Sequence, residues 1–94
     1  MDIPYHPPVK RSLAIHGHRT SISLEPIFWD LLKIAASEEG VALAALVARI
    51  DAERIQAETP PGLAGALRVW LAVRIITDSS SEAVSDASIG EIEQ

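Results

Sequence analysis

A short alternating segment, Arg19–Leu24, constrains the fold of this chain more than any other feature of its sequence. Strict alternation of polar and apolar residues over six positions predicts a β-strand with one buried face. The pattern divides the residues between two faces: Arg19, Ser21 and Ser23 on the polar face, and Thr20, Ile22 and Leu24 on the buried face. A lone strand leaves its backbone N–H and C=O groups without partners, so this segment must pair with another strand.

Two strand pairings would supply hydrogen-bond partners for the backbone of this strand. In the first, residues 10–15 fold back through a tight turn at Gly17-His18 and form a hairpin, which brings Leu13 and Ile15 onto the buried face. In the second, the strand pairs with the same strand of a second copy about a two-fold axis, which also gives the aliphatic helix faces a surface to pack on. The sequence alone leaves both pairings open.

Two helices are predicted directly after the strand. The first begins at Pro26, where a missing N–H costs nothing, and ends at Gly40 in a left-handed conformation. The second is predicted over Ala42–Gln56, and its N-terminus is poorly capped because alanine has no side-chain acceptor. Both helices have an apolar face with helical spacing, formed by Phe28, Leu31, Leu32 and Ala35 in the first and by Leu43, Leu46, Val47 and Ile50 in the second.

A third helix is predicted over Pro61–Thr77, after a break at Thr59–Gly62. Its apolar residues, from Leu63 to Ile76, surround almost the whole circumference. A helix of this kind needs burial on more than one side. In a single small domain this predicts a subunit interface, so the third helix is expected to enlarge a dimer core or to join dimers into a tetramer.

The net charge of −5 is concentrated at one end of the chain. Residues 78–94 contain five acidic residues and no lysine or arginine, which leaves residues 1–77 formally neutral. The longest acid-free basic stretch, Lys10–Leu24, contains Lys10, Arg11 and Arg19. The bulk acidity therefore does not exclude a nucleic-acid partner.

The chain length of 94 residues gives room for one small domain. We expect an extended Pro-rich arm at residues 1–9, a folded domain at 10–77 and an acidic flexible tail at 78–94. Within the tail, Ala83, Val84 and Ile89 could add a weak helix. The start lacks a signal-peptide pattern and the apolar stretches are too short to span a bilayer, which predicts a cytoplasmic protein without a membrane partner.

Residue types that carry catalysis are scarce in this sequence. The chain has no cysteine, no Gly-rich phosphate loop and no paired carboxylates at a spacing suited to acid–base chemistry. His16 and His18 lie close together, but without a cysteine or a nearby carboxylate they do not make a closed metal site. We therefore predict no catalytic residues, no metal site and no cofactor.

Several separated motifs resemble those of the ribbon-helix-helix family, and they occur in the family's order. Lys10-Arg-Ser, Gly17-His-Arg-Thr-Ser and Ser23-Leu-Glu-Pro-Ile-Phe-Trp match a small bacterial subgroup, and Ala66-Leu-Arg-Val-Trp-Leu resembles its last block. The resemblance covers about residues 10–74. It implies a mainly α fold with a short β-ribbon, an intertwined homodimer and an additional C-terminal helix.

The resemblance also implies a DNA-binding transcriptional regulator whose two-stranded antiparallel ribbon enters the major groove. By position, the base-reading residues are Arg19, Ser21 and Ser23. The residues implied as phosphate contacts are Lys10, Arg11, Val41, Ala42 and Leu43. The implied dimer core consists of Ile22, Leu24, Phe28, Leu31, Leu32, Leu46, Val47, Ile50, Leu67 and Trp70.

Two departures from the family pattern favour an alternative. Family members usually carry Ser or Thr where Ala42 stands and a polar residue where Ala44 stands, so a side-chain phosphate contact and a helix cap are missing. The alternative is a protein-interaction and dimerisation module with the same fold. Such a module is either antitoxin-like, with a protein partner for the acidic tail, or has lost DNA binding.

Overall fold

A computed structural model describes residues 5–87 of the chain. The elements follow the order β1 (Val9–Ile15), β2 (His18–Leu24), α1 (Pro26–Glu39), α2 (Leu43–Arg54) and α3 (Leu63–Ala87). The predicted fold class, a short β-ribbon followed by helices with an additional C-terminal helix, is confirmed. The first four residues of the predicted arm and residues 88–94 of the predicted tail lie outside the described residues.

Strands β1 and β2 form an antiparallel hairpin within one chain, from the pair Val9 and Leu24 to the pair Ile15 and His18. The loop is His16–Gly17, where φ is 53° and 80°. Two-residue hairpin loops favour positive φ at both positions because this backbone twist matches that of the strands. The turn therefore begins one residue earlier than predicted, and of the two pairings the chain adopts the hairpin.

Helices α1 and α2 meet at the predicted glycine. Pro26 occupies the first turn of α1, and Gly40 ends that helix with a left-handed φ of 70°. Ala42 is the N-cap of α2, and no side chain bonds to the free N–H groups there. The start and end of α1 and the poor cap of α2 are confirmed, while α2 ends at Arg54, two residues before the predicted Gln56.

Helix α3 continues ten residues beyond the predicted end at Thr77. Residues 78–87 of the predicted tail are helical, where the sequence also allowed a weak helix, and the domain boundary at residue 78 stays a prediction. The segment from Ala66 to Ile89 contains neither glycine nor proline. Its serine run therefore lowers helix propensity by only about 0.5 kcal/mol per residue relative to alanine, which does not end a helix. None of the helices in the described range is long and apolar enough to cross a membrane.

The hydrophobic core lies between the inner face of the hairpin and the three helices. Trp29 is its largest fully buried side chain, and its indole Nε1 donates a hydrogen bond of 2.9 Å to the Val9 carbonyl. This bond attaches the start of β1 to α1. The core consists of Ile15, Ile22, Leu24, Trp29, Leu32, Ala35, Ala36, Leu46, Val47, Ile50, Leu67 and Leu71.

Candidate nucleic-acid interface

The outer face of the hairpin is polar, exposed and free of acidic residues. Its β2 side chains are those of Arg19, Ser21 and Ser23, and all three are exposed while Ile22 and Leu24 between them are buried. Alternation along a strand places successive side chains on opposite faces. The three predicted base-reading residues therefore share one solvent-facing surface.

Strand β1 adds its own residues to this outer face. The register pairs Lys10 with Ser23, Ser12 with Ser21 and Ala14 with Arg19. Residues directly opposite each other in an antiparallel pair lie on the same face of the sheet. The Arg19 guanidinium also donates to the Ser12 hydroxyl across the strands, with 3.4 Å between Nη1 and Oγ. Lys10, Ser12, Arg19, Ser21 and Ser23 thus form one continuous polar surface, which we call the ribbon face.

Sequence reasoning missed Ser12 as a member of this surface. The signal was present, because Ser12 and Ala14 alternate with Leu13 and Ile15. It became informative only once the strand partner of β2 was known to be β1 of the same chain.

Arg11 lies on the opposite side of the hairpin from Lys10. It pairs with the buried Ile22, and its guanidinium carbon stands 5.3 Å from the centroid of the Trp29 ring. A cation over an aromatic face is attracted by the ring quadrupole. The structure therefore places Lys10 and Arg11, both predicted as phosphate contacts, on opposite faces of the hairpin.

The other predicted phosphate contacts stand at the junction of α1 and α2. The N–H of Val41 donates to the Ala36 carbonyl at 3.0 Å, as part of the cap that ends α1. The Val41 N–H is therefore already bonded within the chain, and a phosphate contact at Val41 stays a prediction. The first backbone hydrogen bond of α2 runs from the Leu46 N–H to the Ala42 carbonyl, so the N–H of Leu43 points out of the helix end without a capping side chain.

Ion pairs elsewhere neutralise most of the arginines in the folded body. Arg49 binds Glu39 through two hydrogen bonds of 2.7 and 3.2 Å, and Arg54 binds Asp51 at 2.8 Å. Arg68 and Arg74 pair with acids of α1 or its N-cap. In contrast, no acid among residues 5–78 lies within ion-pair distance of the lysine and arginines of the hairpin: Lys10, Arg11 and Arg19. A neutral body thus carries its unpaired positive charge mainly on the hairpin.

Two carboxyl groups in these pairs have shifted acidities. The pKa of Glu25 lies below its ordinary value. The larger cause is a hydrogen bond from the residue's own backbone N–H, and the second is a hydrogen bond from the Arg68 guanidinium. Hydrogen bonds from Arg49 lower the pKa of Glu39, and the same contact raises the pKa of Arg49. Both pairs join separate elements. Arg68 connects α3 to the start of α1, and Arg49 connects α2 to the end of α1.

The residues predicted as a dimer core lie largely in the core of the single chain. Seven are buried: Ile22, Leu24, Leu32, Leu46, Val47, Ile50 and Leu67. Three others pack against that core with part of their surface exposed: Phe28, Leu31 and Trp70. Their role between two copies of the chain stays a prediction.

Comparisons with known proteins agree with this geometry. The model of the ribbon-helix-helix domain matches residues 8–75. Among solved structures, an uncharacterized protein from Bordetella pertussis Tohama I is similar, with a TM-score of 0.67 and 27% sequence identity. The alignment covers 87% of this chain and 66% of that protein, slightly less than two thirds of its length. No curated protein sequence matches.

The family match spans both strands and all of α1 and α2, and it continues into α3. It therefore includes every residue of the ribbon face and the junction at Gly40. Proteins with this domain typically are DNA-binding regulators of transcription or antitoxins. This chain belongs to the ribbon-helix-helix family.

Proposed function

We propose that this protein is a homodimeric, cytoplasmic DNA-binding regulator of transcription that inserts its ribbon face into the DNA major groove. The observation that carries the proposal is the ribbon face itself. It is a two-stranded surface with two unpaired cations, three serine hydroxyls and no acid. A two-stranded β-ribbon fits the major groove, where each base pair presents a distinct pattern of donors and acceptors.

The side chains of the ribbon face suit the chemistry of base edges. Arg19 presents a fork of N–H donors that matches the O6 and N7 atoms of guanine. Ser21 and Ser23 donate or accept, so they contact any base with less discrimination. The proposed reader therefore depends most on Arg19 for sequence preference.

Phosphate contacts position such a reader on the duplex. The free N–H groups at the start of α2, at Ala42 and Leu43, point out of a positively polarised helix end. Because Ala42 provides no hydroxyl, this contact is limited to the backbone. We therefore expect weak DNA affinity with a steep dependence on salt.

The outward side of α3 supports association with a second copy. Leu67 and Leu71 are buried in the chain's own core, whereas the spaced residues Val69, Val73 and Ile76 are 62, 56 and 63% exposed. The cations beside this stripe, Arg68 and Arg74, pair with acids of their own chain and leave no charge to repel a second copy. Exposed apolar patches of this kind mark interaction sites. Sedimentation velocity distinguishes the proposed dimer from a tetramer.

One observation favours the alternative, a protein-interaction module. A groove of about 320 Å³ lies between the end of α2 and α3, and its walls include Ile50, Ala57, Pro61 and Trp70. Apolar grooves between helices accept apolar side chains of a partner. Under this alternative the groove binds a protein and the ribbon face is a solvated surface.

The test is a titration of a fluorescently labelled duplex of mixed sequence, about 30 base pairs long, with the whole chain, followed by anisotropy. The salt is kept at about 50 mM, where phosphate contacts are strongest. The proposal predicts binding that Arg19→Ala weakens and makes less sequence-selective. Lys33→Ala, a change of one exposed cation on α1, is the matched control and is expected to retain binding. Absence of binding by the wild-type chain refutes the proposal.

A further inference from the structure

We infer that Arg68 of α3 supports DNA binding without touching DNA, because it neutralises Glu25, the acid that directly follows the ribbon. This role rests on the proposed function and extends it to α3, which otherwise has no part in contacting the duplex. Arg68 is a positioning residue: it changes DNA affinity only through the charge of Glu25.

Glu25 lies at the end of the ribbon face. Residues 10–24 contain no acid, and Glu25 is the first one after them. It directly follows the last residue of β2 and is the N-cap of α1. Its Cα lies at most about 7 Å from that of Ser23, two residues earlier, and this distance is shorter than the Debye length of about 10 Å at 0.1 M salt. An unpaired carboxylate there would repel the phosphates on either side of the ribbon face.

Arg68 compensates this charge with two hydrogen bonds. Its Nε and Nη2 atoms both donate to Glu25 Oε1, at 3.1 and 3.0 Å. The side chains of Arg68 and Glu25 are only 35 and 30% exposed, so much of the pair is shielded from water and salt. The lowered pKa of Glu25 agrees with this contact and keeps the carboxyl group ionised at neutral pH.

The ring of Phe28 holds the same guanidinium from another side. Arg68 Cζ stands 5.7 Å from the centroid of this ring, which belongs to the first turn of α1. Two N–H groups of Arg68 and one face of its guanidinium are thus already occupied within the chain. The pair is therefore a fixed neutral unit and not a free cation beside the DNA.

Substitution of each partner separates this role from a direct contact with phosphate. The pair has no net charge in the wild-type chain, a negative charge in Arg68→Gln, a positive charge in Glu25→Gln and no net charge again in the double variant. Glutamine retains an extended polar side chain at both positions. If Arg68 acts through Glu25, DNA affinity follows this local charge. If Arg68 bound a phosphate itself, the double variant would bind as weakly as Arg68→Gln.

The experiment is the anisotropy titration with the mixed-sequence duplex at about 50 mM salt. A unit charge about 10 Å from one phosphate changes affinity about twofold in water, and several phosphates line the groove. Arg68→Gln is therefore expected to weaken binding about threefold, Glu25→Gln to strengthen it about threefold, and the double variant to stay within about 1.5-fold of wild type. These differences should shrink at about 300 mM salt, where screening is stronger.

Lys33→Ala is the control for net charge, because it also removes one cation and lies on the exposed part of α1. It is expected to change affinity less than about 1.5-fold. Equal losses in Lys33→Ala and Arg68→Gln would overturn the inference, and so would a double variant as weak as Arg68→Gln. The proposed function would stand in both cases, whereas absence of binding by the wild-type chain would remove both.

Urea unfolding of each variant checks that the chain is folded under the conditions of the titration. If Arg68→Gln does not fold, Glu25→Gln tests the inference by itself, because the amide keeps the Oε1 acceptor and removes only the charge. Binding by Glu25→Gln that is no tighter than that of wild type then overturns the inference.

Discussion

Trp29→Phe tests the attachment of the ribbon to the helices. Trp29 is fully buried, and its Nε1 donates a hydrogen bond of 2.9 Å to the Val9 carbonyl at the start of β1. Phenylalanine keeps an aromatic ring but removes this donor, at a net cost of about 0.5–1.5 kcal/mol. The smaller ring also leaves a cavity, which adds about 1–2 kcal/mol. The expected loss in the free energy of unfolding is therefore about 1.5–3.5 kcal/mol.

The assay is urea unfolding followed by far-UV circular dichroism, because the substitution removes a fluorophore. Trp70→Phe is the matched control: Trp70 is only partly buried, and its indole has no hydrogen-bond partner among the described residues. Its expected loss is about 1 kcal/mol or less. A Trp29→Phe variant no less stable than Trp70→Phe would refute this account of how β1 is attached.

Three further predictions concern the helices. Gly40→Ala places a Cβ at a φ of 70° with open space around it, so backbone strain alone should lower the free energy of unfolding in urea by about 1 kcal/mol. Gly65→Ala within α3 should instead raise it by about 0.5–1 kcal/mol. Equal effects of the two substitutions would contradict the assigned end of α1. Val73→Asp should shift sedimentation velocity toward a monomer, while the exposed Ile34→Asp on α1 should not, and an unchanged profile for Val73→Asp would exclude this interface. Glu39 has a lowered pKa in the folded chain, so its contribution to stability is present above its ordinary pKa and is lost as the pH falls through the folded value. Urea midpoints measured from pH 7 down to about pH 3 should therefore decrease less in Glu39→Gln than in wild type, and parallel curves would contradict the pairing with Arg49.

Patterns of neighbouring residues were enough to predict the strand β2 and the helix α1 that follows it. Alternation over Arg19–Leu24 placed three side chains on an exposed face, and the structure has them there. The same holds for α1, where Pro26 and Gly40 act through their own backbone conformations. These features depend on residues a few positions apart, so a single sequence carries the information.

Features that depend on tertiary contacts could not be predicted in the same way. The partner of β2 stayed open because the hairpin and the two-fold pairing both bury Ile22 and Leu24. Alternation along β1 places Arg11 on the same face as the buried core residues. A cation is tolerated there because its guanidinium packs over the ring of Trp29. The Ser79–Ser81 run resembled a linker, although helix propensity alone permits α3 to continue. The engagement of the Val41 N–H depends on how Gly40 caps α1.

The central claim is that the ribbon face contacts DNA. The most direct measurement is a ¹⁵N–¹H correlation spectrum of the labelled whole chain, recorded while the mixed-sequence duplex is added at low salt. We predict the largest shifts at the amides of Lys10–Ser12 and Arg19–Ser23, with smaller shifts at the start of α2. Shifts confined to α3 and the groove beside it, or no shifts at all, would contradict the account.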